Sequence, residues 1–257
     1  MGEVRMRYRK VLITGGSGLI GKTLVKHFLD QNWFVITTVS SEGSYKKLRD
    51  EFKNVANFAV IQSDLTIDGA GPRLAEKLQL QNLSPYAIIN NARSLKFLKI
   101  EDNTSVTREN FISELTLDVV APYEIVMHFA LLESTPLRKV VNIGSMYGCV
   151  AANKQLYDDF TKQSPIHYSV AKAAVIQLTK ELAVRLADRN IDVNCLSLGG
   201  IQGRVDEDFK KRYAKLCPAG RMLNLDDVSI HADYLVSPKT SGITGHNLIV
   251  DGGWTIW

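Results

Sequence analysis

Tyr168 and Lys172 have the side-chain types and the spacing for proton transfer. Four residues apart on a helix, they share one face. A phenol with its ordinary pKa of about 10 is a poor base at neutral pH. A neighbouring ammonium favours the phenolate. Acid–base help from such a group contributes roughly 10²–10⁴-fold in rate. Read alone, the pair is equally a piece of helix surface. A second signal lies near the N-terminus. Thr14-Gly15-Gly16-Ser17-Gly18-Leu19-Ile20-Gly21 holds glycines in GxGxxG spacing at Gly16, Gly18 and Gly21. Such glycines allow a tight turn and close backbone approach to a pyrophosphate resting on a helix N-terminus. The plainer reading is a tight turn from strand to helix. The apolar run before it and the helical spacing after it supply the context that the nucleotide reading needs.

More polar residues stand just after apolar runs. Ser63-Asp64-Leu65 places a carboxylate where it either accepts from an adenine amino group or caps the next turn. Asn90-Asn91-Ala92-Arg93 offers amides that pin neighbouring strand ends, or a plain Asn turn. Asn142-Ile143-Gly144-Ser145-Met146-Tyr147 ends a further run on a hydroxyl. Where a ribose-binding carboxylate usually stands, the chain has Val39, Ser40 and Ser41. Small hydroxyls leave room for a 2′-phosphate within reach of Lys46 or Lys47, which leans the cofactor toward NADP over NAD. Each lysine singly also reads as a solvated helix face. No residues fall in a metal-ligand pattern. Cys149, Cys195 and Cys217 have no CxxC spacing, so they read as reduced structural thiols, with a reactive thiol as the other reading.

The elements that must position these residues follow from periodicity. Strands are expected at Lys10–Thr14, Trp33–Val39, Asn57–Gln62, Tyr86–Asn90, Arg138–Ile143, Ile191–Leu196 and Asn247–Val250. Helices are expected from Leu19 to Gln31, Ser44–Lys53, Pro72–Leu80, Val106 to Leu132 with a kink at Pro122, Tyr168–Arg189 with strong amphipathicity, and Leu225–Val236. Near-continuous apolar strands that alternate with helices imply βαβ units, with both sheet faces covered. The expected fold is α/β, a doubly wound parallel Rossmann sheet of about seven strands in a single domain over residues 1–257. Ligands in such folds bind beyond the carboxyl ends of the strands.

Composition excludes other classes. The chain has 257 residues, 45% hydrophobic and 23% charged, which is neither disordered nor a disulfide scaffold. The net charge of +4 is too small for a nucleic-acid footprint. The basic clusters at Arg5, Arg7, Arg9 and Lys10, and at Lys210, Lys211 and Arg212, read as solvated surface. No apolar run approaches a bilayer span. The apolar stretch after Lys10 is too short for a signal peptide, and Met6 stands where myristoylation needs Ser or Thr. A cytoplasmic protein with a small-molecule substrate is expected, without nucleic-acid or membrane partners.

Taken together, the glycine turn, Asp64, Asn90-Asn91-Ala92, Ser145, Tyr168-x-x-x-Lys172 and the tail from Ile243-Thr244-Gly245 to Val250-Asp251-Gly252-Gly253 resemble the short-chain dehydrogenase/reductase family over nearly the whole chain. The resemblance implies hydride transfer between NADP or NAD and a carbonyl or alcohol. Tyr168 would be the acid/base. Lys172 would lower its pKa and hold the nicotinamide ribose, and Ser145 would bond the substrate oxygen. Asp64 would meet the adenine, and Asn90 with Ala92 would line the ribose path. Gly15, Ser17, Gly18, Leu19, Ile20, Gly21, Ser40, Leu65, Asn91, Gly199 and Ile201 complete the expected cofactor contacts. Association as a homodimer or homotetramer through the helices at 106–132 and 168–189 is also implied.

The chain departs from the family pattern in several places. Leu19 replaces a glycine, with Gly18 beside it. Asp118 stands for the helix Asn of a proton relay, so it joins the catalytic candidates. Arg93 replaces a glycine, and Leu198-Gly199 replaces Pro-Gly. The separation of Ser145 from Tyr168 is longer than in most relatives. An insert within Val150–His167 therefore either walls the substrate pocket, with Asn153, Lys154, Tyr157 and Lys162, or is a solvated loop. Segment 200–216 is expected on the substrate side, its part from Gln202 to Leu216 as a mobile lid. The Asn-Asn-Ala-Arg and Ser-Met-Tyr-Gly runs with the insert are similar to flagellin-modification oxidoreductases linked to nonulosonic-acid sugars. The leading expectation is an oxidoreductase for a polar substrate, an amino sugar or sugar phosphate. The alternative is a catalytically impaired sensor or scaffold of the same fold.

Overall fold

Apolar residues alternate faces along each strand, so each strand needs cover on both sides. Val11 and Ile13 join one buried cluster and Leu12 the other. The structure is a computed structural model and describes residues 9–203 and 205–257. The readings on Arg5, Arg7 and Met6, and Arg204 within segment 200–216, lie outside the described residues. In chain order the first half runs β1 (Lys10–Ile13), α1 (Leu19–Asp30), β2 (Phe34–Val39), α2 (Glu42–Glu51), β3 (Phe58–Gln62), α3 (Ala70–Leu80) and β4 (Ala87–Asn90). The second half runs α4 (Arg108–Leu115), α5 (Ala121–Ala130), β5 (Lys139–Ser145), α6 (Phe160–Gln163), α7 (Ile166–Leu186), β6 (Asp192–Leu198), α8 (Glu207–Leu216), α9 (Leu225–Val236) and β7 (Asn247–Val250).

All seven strands are parallel in one sheet, ordered β3-β2-β1-β4-β5-β6-β7. The order reverses between β1 and β4, and at that point the crossovers diverge and open a crevice at the carboxyl ends. On one face Leu12, Ile36, Ile88 and Val140 meet Leu78 of α3, Phe129 of α5 and Leu182 of α7. On the other, Val11, Val35, Ile89 and Val141 meet Phe28 of α1 and Val228 of α9.

Four expectations change here. The helix expected over 106–132 runs through Arg108–Ala130, but just before Pro122 it widens into a π turn at Thr116–Val120. Pro122 has no N–H to return to the carbonyl of Asp118. The Ala121 N–H reaches back instead to the Thr116 carbonyl, five residues earlier. Helix α7 starts at Ile166, behind Pro165, so Tyr168 falls in its first turn. It is less amphipathic than expected, because Ile166, Val170 and Val184 are exposed opposite a stripe of buried residues. Much of the expected mobile lid is helix α8. Asp206 Oδ1 caps it at the Phe209 N–H, 2.7 Å away. Tyr213 anchors it, stacked on Trp254 at 4.6 Å and accepting at its hydroxyl from the Gly200 N–H at 2.9 Å. The basic cluster on α8 is paired at the surface, Lys210 with Glu207, Lys211 with Asp208 and Arg212 with Asp158. Among the described residues, no helix is long and apolar enough to cross a membrane.

Packing is tight where α1 leaves the glycine turn. A Cβ on Gly21 would sit 2.2 Å from the Gly15 carbonyl oxygen and 2.9 Å from Asn91 Nδ2. The carbonyl cannot retreat without moving backbone, and the amide would give up its bond to the Thr14 carbonyl. Gly21→Ala is expected to cost about 1–3 kcal/mol of unfolding free energy, read by denaturant titration. An unchanged midpoint would show that the turn yields freely.

Candidate active site

The glycine turn is held by its neighbours. Gly15 takes φ +75° and lies so close to Ala92 that a Cβ would meet its Cα at 2.7 Å. Thr14 Oγ1 accepts from the backbone N–H groups of Asn91 and Ala92, each at 2.9 Å. Asn91 Nδ2 donates to the Thr14 carbonyl at 2.9 Å and approaches that of Gly15 at 3.4 Å. Thr38 Oγ1 accepts from the Gly15 N–H at 3.2 Å. These bonds tie the turn to the ends of β4 and β2. Gly18 then starts α1 with no side-chain cap, which leaves the first-turn N–H groups free for a ligand.

A cleft of about 1160 Å³ opens over this turn. It exceeds the ~300–1,000 Å³ of common small-ligand sites. Of the expected cofactor contacts, Gly15, Ser17, Gly18, Leu19, Ile20 and Gly21 line it, as do Ser40, Asp64, Leu65, Asn91, Ala92, Gly199 and Ile201. Ser145, Tyr168 and Lys172 line the same cleft. Asp64 also caps a turn, its Oδ1 accepting from the Thr66 N–H at 3.0 Å and hydroxyl at 2.7 Å. Asn90 lies beneath the surface. Its Nδ2 donates to Asn142 Oδ1 at 2.8 Å, and Asn142 Nδ2 donates to Thr179 Oγ1 at 2.9 Å, which locks β4 to β5 and β5 to α7. The lysines behind the NADP lean do not line the cleft, and Lys46 pairs with Glu42 at 3.2 Å.

Asp118 is brought to the site from behind. It is buried, and its Oδ2 lies 2.9 Å from Lys172 Nζ. The ammonium aims a hydrogen at the Ile143 carbonyl, 3.0 Å away. Burial alone would lower the Lys172 pKa, but the Asp118 carboxylate, helped by Tyr168, outweighs burial and holds it above the ordinary lysine range. Thr14, Asn90, Asp118, Asn142 and Lys172 enclose a cavity of about 10 Å³, on the order of the room one water needs. Arg93 lies over the Tyr168 ring, 4.7 Å from its centroid, and Lys172 Nζ is 5.8 Å from the same point.

One residue at the site escaped the sequence reading. Glu114 is fully buried and neither carboxylate oxygen has a hydrogen-bond partner. Burial, then the charge of Asp118, raises its pKa to about 7 against the pull of Lys172 and Arg93. Its place four residues before Asp118 was the available signal. The insert supplies Tyr157, Lys162, Gln163 and Ser164 to the cleft wall, whereas Asn153 and Lys154 do not line it. Tyr157 and Tyr147 hydroxyls bond at 2.8 Å, and Tyr157 packs on Phe160 and Phe209. Burial pushes both tyrosine pKa values up, so both are neutral donors or acceptors.

Comparison with known proteins places this geometry. The profile of the enoyl-(acyl carrier protein) reductase family matches residues 17–255. The post-translational flagellin modification protein A of Campylobacter coli is 27% identical, covering 95% of this chain and 97% of its own. A short-chain dehydrogenase of Leptospira borgpetersenii, solved with NAD+ bound, is 33% identical with a TM-score of 0.83, covering 97% of this chain and 93% of its own. A 4-hydroxyisoleucine dehydrogenase complexed with NADH is 26% identical with a TM-score of 0.84, covering 97% and 99%.

The raised pKa of Glu114 has a consequence for folding. Between its ordinary 4.5 and about 7 the folded chain holds a proton that the unfolded chain has released. This contribution to stability therefore falls as pH rises through that window and levels off above it. Unfolding free energies measured from pH 4.5 to 8 are expected to show this fall, and Glu114→Gln to remove it. The same slope in both proteins would assign it to other groups.

Proposed function

The chain belongs to the short-chain dehydrogenase/reductase family and is an NAD(P)-dependent oxidoreductase, and on that premise we propose that it interconverts a carbonyl and an alcohol on a polar, anionic substrate, with Tyr168 as acid/base. The observation that carries this reading is that Ser145, Tyr168 and Lys172 share one cleft with the glycine turn. The residues present fit a dinucleotide. The uncapped start of α1 suits its pyrophosphate, and no Cβ at Gly18 intrudes on that space. Gly15, Gly18 and Ile20 would hold the phosphates, Asp64 and Leu65 the adenine side, and Asn91, Ala92 and Lys172 the nicotinamide side. When bound, the nicotinamide supplies or removes the hydride.

The chain's own part is proton transfer and orientation. In reduction the Tyr168 hydroxyl gives its proton to the substrate oxygen, and in oxidation the phenolate takes it back. Ser145 Oγ holds that oxygen. It is itself placed by accepting from the Tyr147 N–H at 3.2 Å. The Lys172 ammonium, fixed by Asp118 and the Ile143 carbonyl, and the Arg93 guanidinium stabilise negative charge as it develops on the phenol. Arg93, Lys96 and Lys162 all line the cleft, so a phosphate or carboxylate on the substrate meets three cations. A sugar phosphate or an acidic amino sugar has that chemistry, and the flagellin-modification relative supports it.

The lean toward NADP drew on the missing ribose carboxylate, the hydroxyls of Ser40 and Ser41, and Lys46 and Lys47; of these side chains Ser40 lines the cleft and the two lysines do not. Relatives at 33% and 26% identity are solved with NAD+ and NADH. We therefore infer NAD. A second copy of the chain would cover the exposed Ile112, Val120, Tyr123, Val170 and Val184 on α4, the π turn, α5 and α7.

Separate titrations of NAD and NADP are expected to raise the melting temperature more for NAD. A larger response to NADP overturns the cofactor inference. Tyr168→Phe is expected to keep the cofactor response and to lose about 10²–10⁴-fold in turnover across a panel of keto-sugar phosphates and acidic amino sugars. Undiminished turnover removes the proposed mechanism.

A further inference from the structure

Glu114 is a buried acid that the proton transfer just described does not use. It lies in the last turn of α4, fully enclosed, with both oxygens unpartnered. Native chains leave few buried carboxylates without partners, and such a group calls for an account. An ionised carboxylate here would lack the bonds that usually offset desolvation. A protonated one carries no net charge and loses much less on burial.

Its surroundings make that proton consequential. Asp118 follows one turn later and contacts Lys172 at 2.9 Å. From α7 come Lys172, Tyr168 and the buried His167, whose Nε2 lies 2.7 Å from the Phe97 carbonyl and whose ring packs on Phe111 of α4. The loop after β4 contributes Arg93, and the turn at Leu95–Leu98 packed on α4 contributes Lys96. Arg93 and Lys172 are the two cations beside the Tyr168 ring. With Glu114 protonated, Arg93, Lys172, Asp118 and Glu114 together carry one net positive charge. With Glu114 ionised they are neutral. Tyr168 thus stands beside a cluster whose charge changes with one proton.

We propose that Glu114 is a positioning residue that holds the exchangeable proton of this cluster, whose Glu114, Asp118 and Lys172 are buried and whose Arg93 is exposed, and sets, through Asp118 and Lys172, how tightly Tyr168 holds its own. No covalent bond between heavy atoms changes, and the event is one proton leaving or joining the Glu114 carboxyl. Loss of that proton removes a positive excess beside the phenol, and Tyr168 then grips its proton more firmly. The raised Glu114 pKa of about 7 puts the change near neutral pH. The inference rests on Tyr168 as the acid/base, but its test needs neither substrate nor nicotinamide. A failure of turnover and a failure of this coupling are therefore separate results.

The experiment follows the Tyr168 phenolate by ultraviolet absorbance, as the difference between the chain and its Tyr168→Phe variant across pH. Glu114→Gln cannot ionise, so Tyr168 is expected to titrate about one pH unit lower than in the parent protein. Glu114→Asp keeps a carboxylate and is expected to restore the parent curve. A purely structural role would move the melting temperature but leave the two titration curves superimposed, and that result overturns the proposal. Should Glu114→Gln not fold, the parent protein with ¹³C-labelled glutamate gives the answer by NMR. One glutamate carboxyl titrating near pH 7, and lost in Glu114→Asp, is expected. Glutamate carboxyls that all titrate near their ordinary pKa overturn the proposal.

Discussion

An ammonium placed inside a protein must be compensated, and the site is arranged around that constraint. Lys172 is almost wholly out of water, where an isolated charge is prohibitively unfavourable. Asp118 and the Ile143 carbonyl provide the compensation. Each demand passes to the backbone. Asp118 reaches Lys172 from within a π turn, and the Ile143 carbonyl is available because it lies close to the end of β5, beside the cleft. Removing either partner of such a pair costs more than the pair itself contributes, because a bare charge stays behind. The ion pair is therefore better understood as fixing the position of Lys172 than as a source of stability.

The cofactor side depends on neutral hydrogen bonds of a different kind. The Thr14 hydroxyl and the Asn91 amide join the end of β1 to the end of β4, at the point where the sheet reverses its order. A glycine turn has no side chains with which to hold itself. Its shape is imposed by two neighbouring strands and by crowding from Ala92 and Thr37. The chain of amides and hydroxyls from Asn90 through Asn142 to Thr179 does the same for α7, and so for Tyr168 and Lys172. Positioning of the two halves of the site thus converges on the strands β1, β4 and β5.

Sequence reading reached most of this because the signals are local. Each strand is a short apolar run, and a polar residue just past a parallel strand lies at the cleft by topology. The cleft therefore gathers many of the residues expected of it, while Asn90 and Asp118 lie behind it and Asn153 and Lys154 away from its wall. The π turn was hidden, because a Pro in a helical pattern shows that the ladder breaks but not how the backbone re-forms. Helix α8 was hidden by its charges. Only Phe209, Tyr213 and Leu216 face inward from a segment otherwise rich in Lys, Asp and Glu. Glu114 was hidden for the opposite reason. In the run Arg108-Glu109-Asn110-Phe111-Ile112-Ser113-Glu114 a carboxylate reads as solvated, and only tertiary packing seals it from water.

The π turn also bears on how such a site arises. One extra residue in a helical turn advances everything before it by about 100° around the axis. The face that α4 presents to α7 is therefore set by the length of the turn that follows it. Because 116–120 also carries Asp118, the length of this turn sets both the face of α4 and the place of the carboxylate that meets Lys172. The surroundings of Tyr168 thus depend on the register of a turn that contributes Leu117 to the cleft and Asp118 behind it.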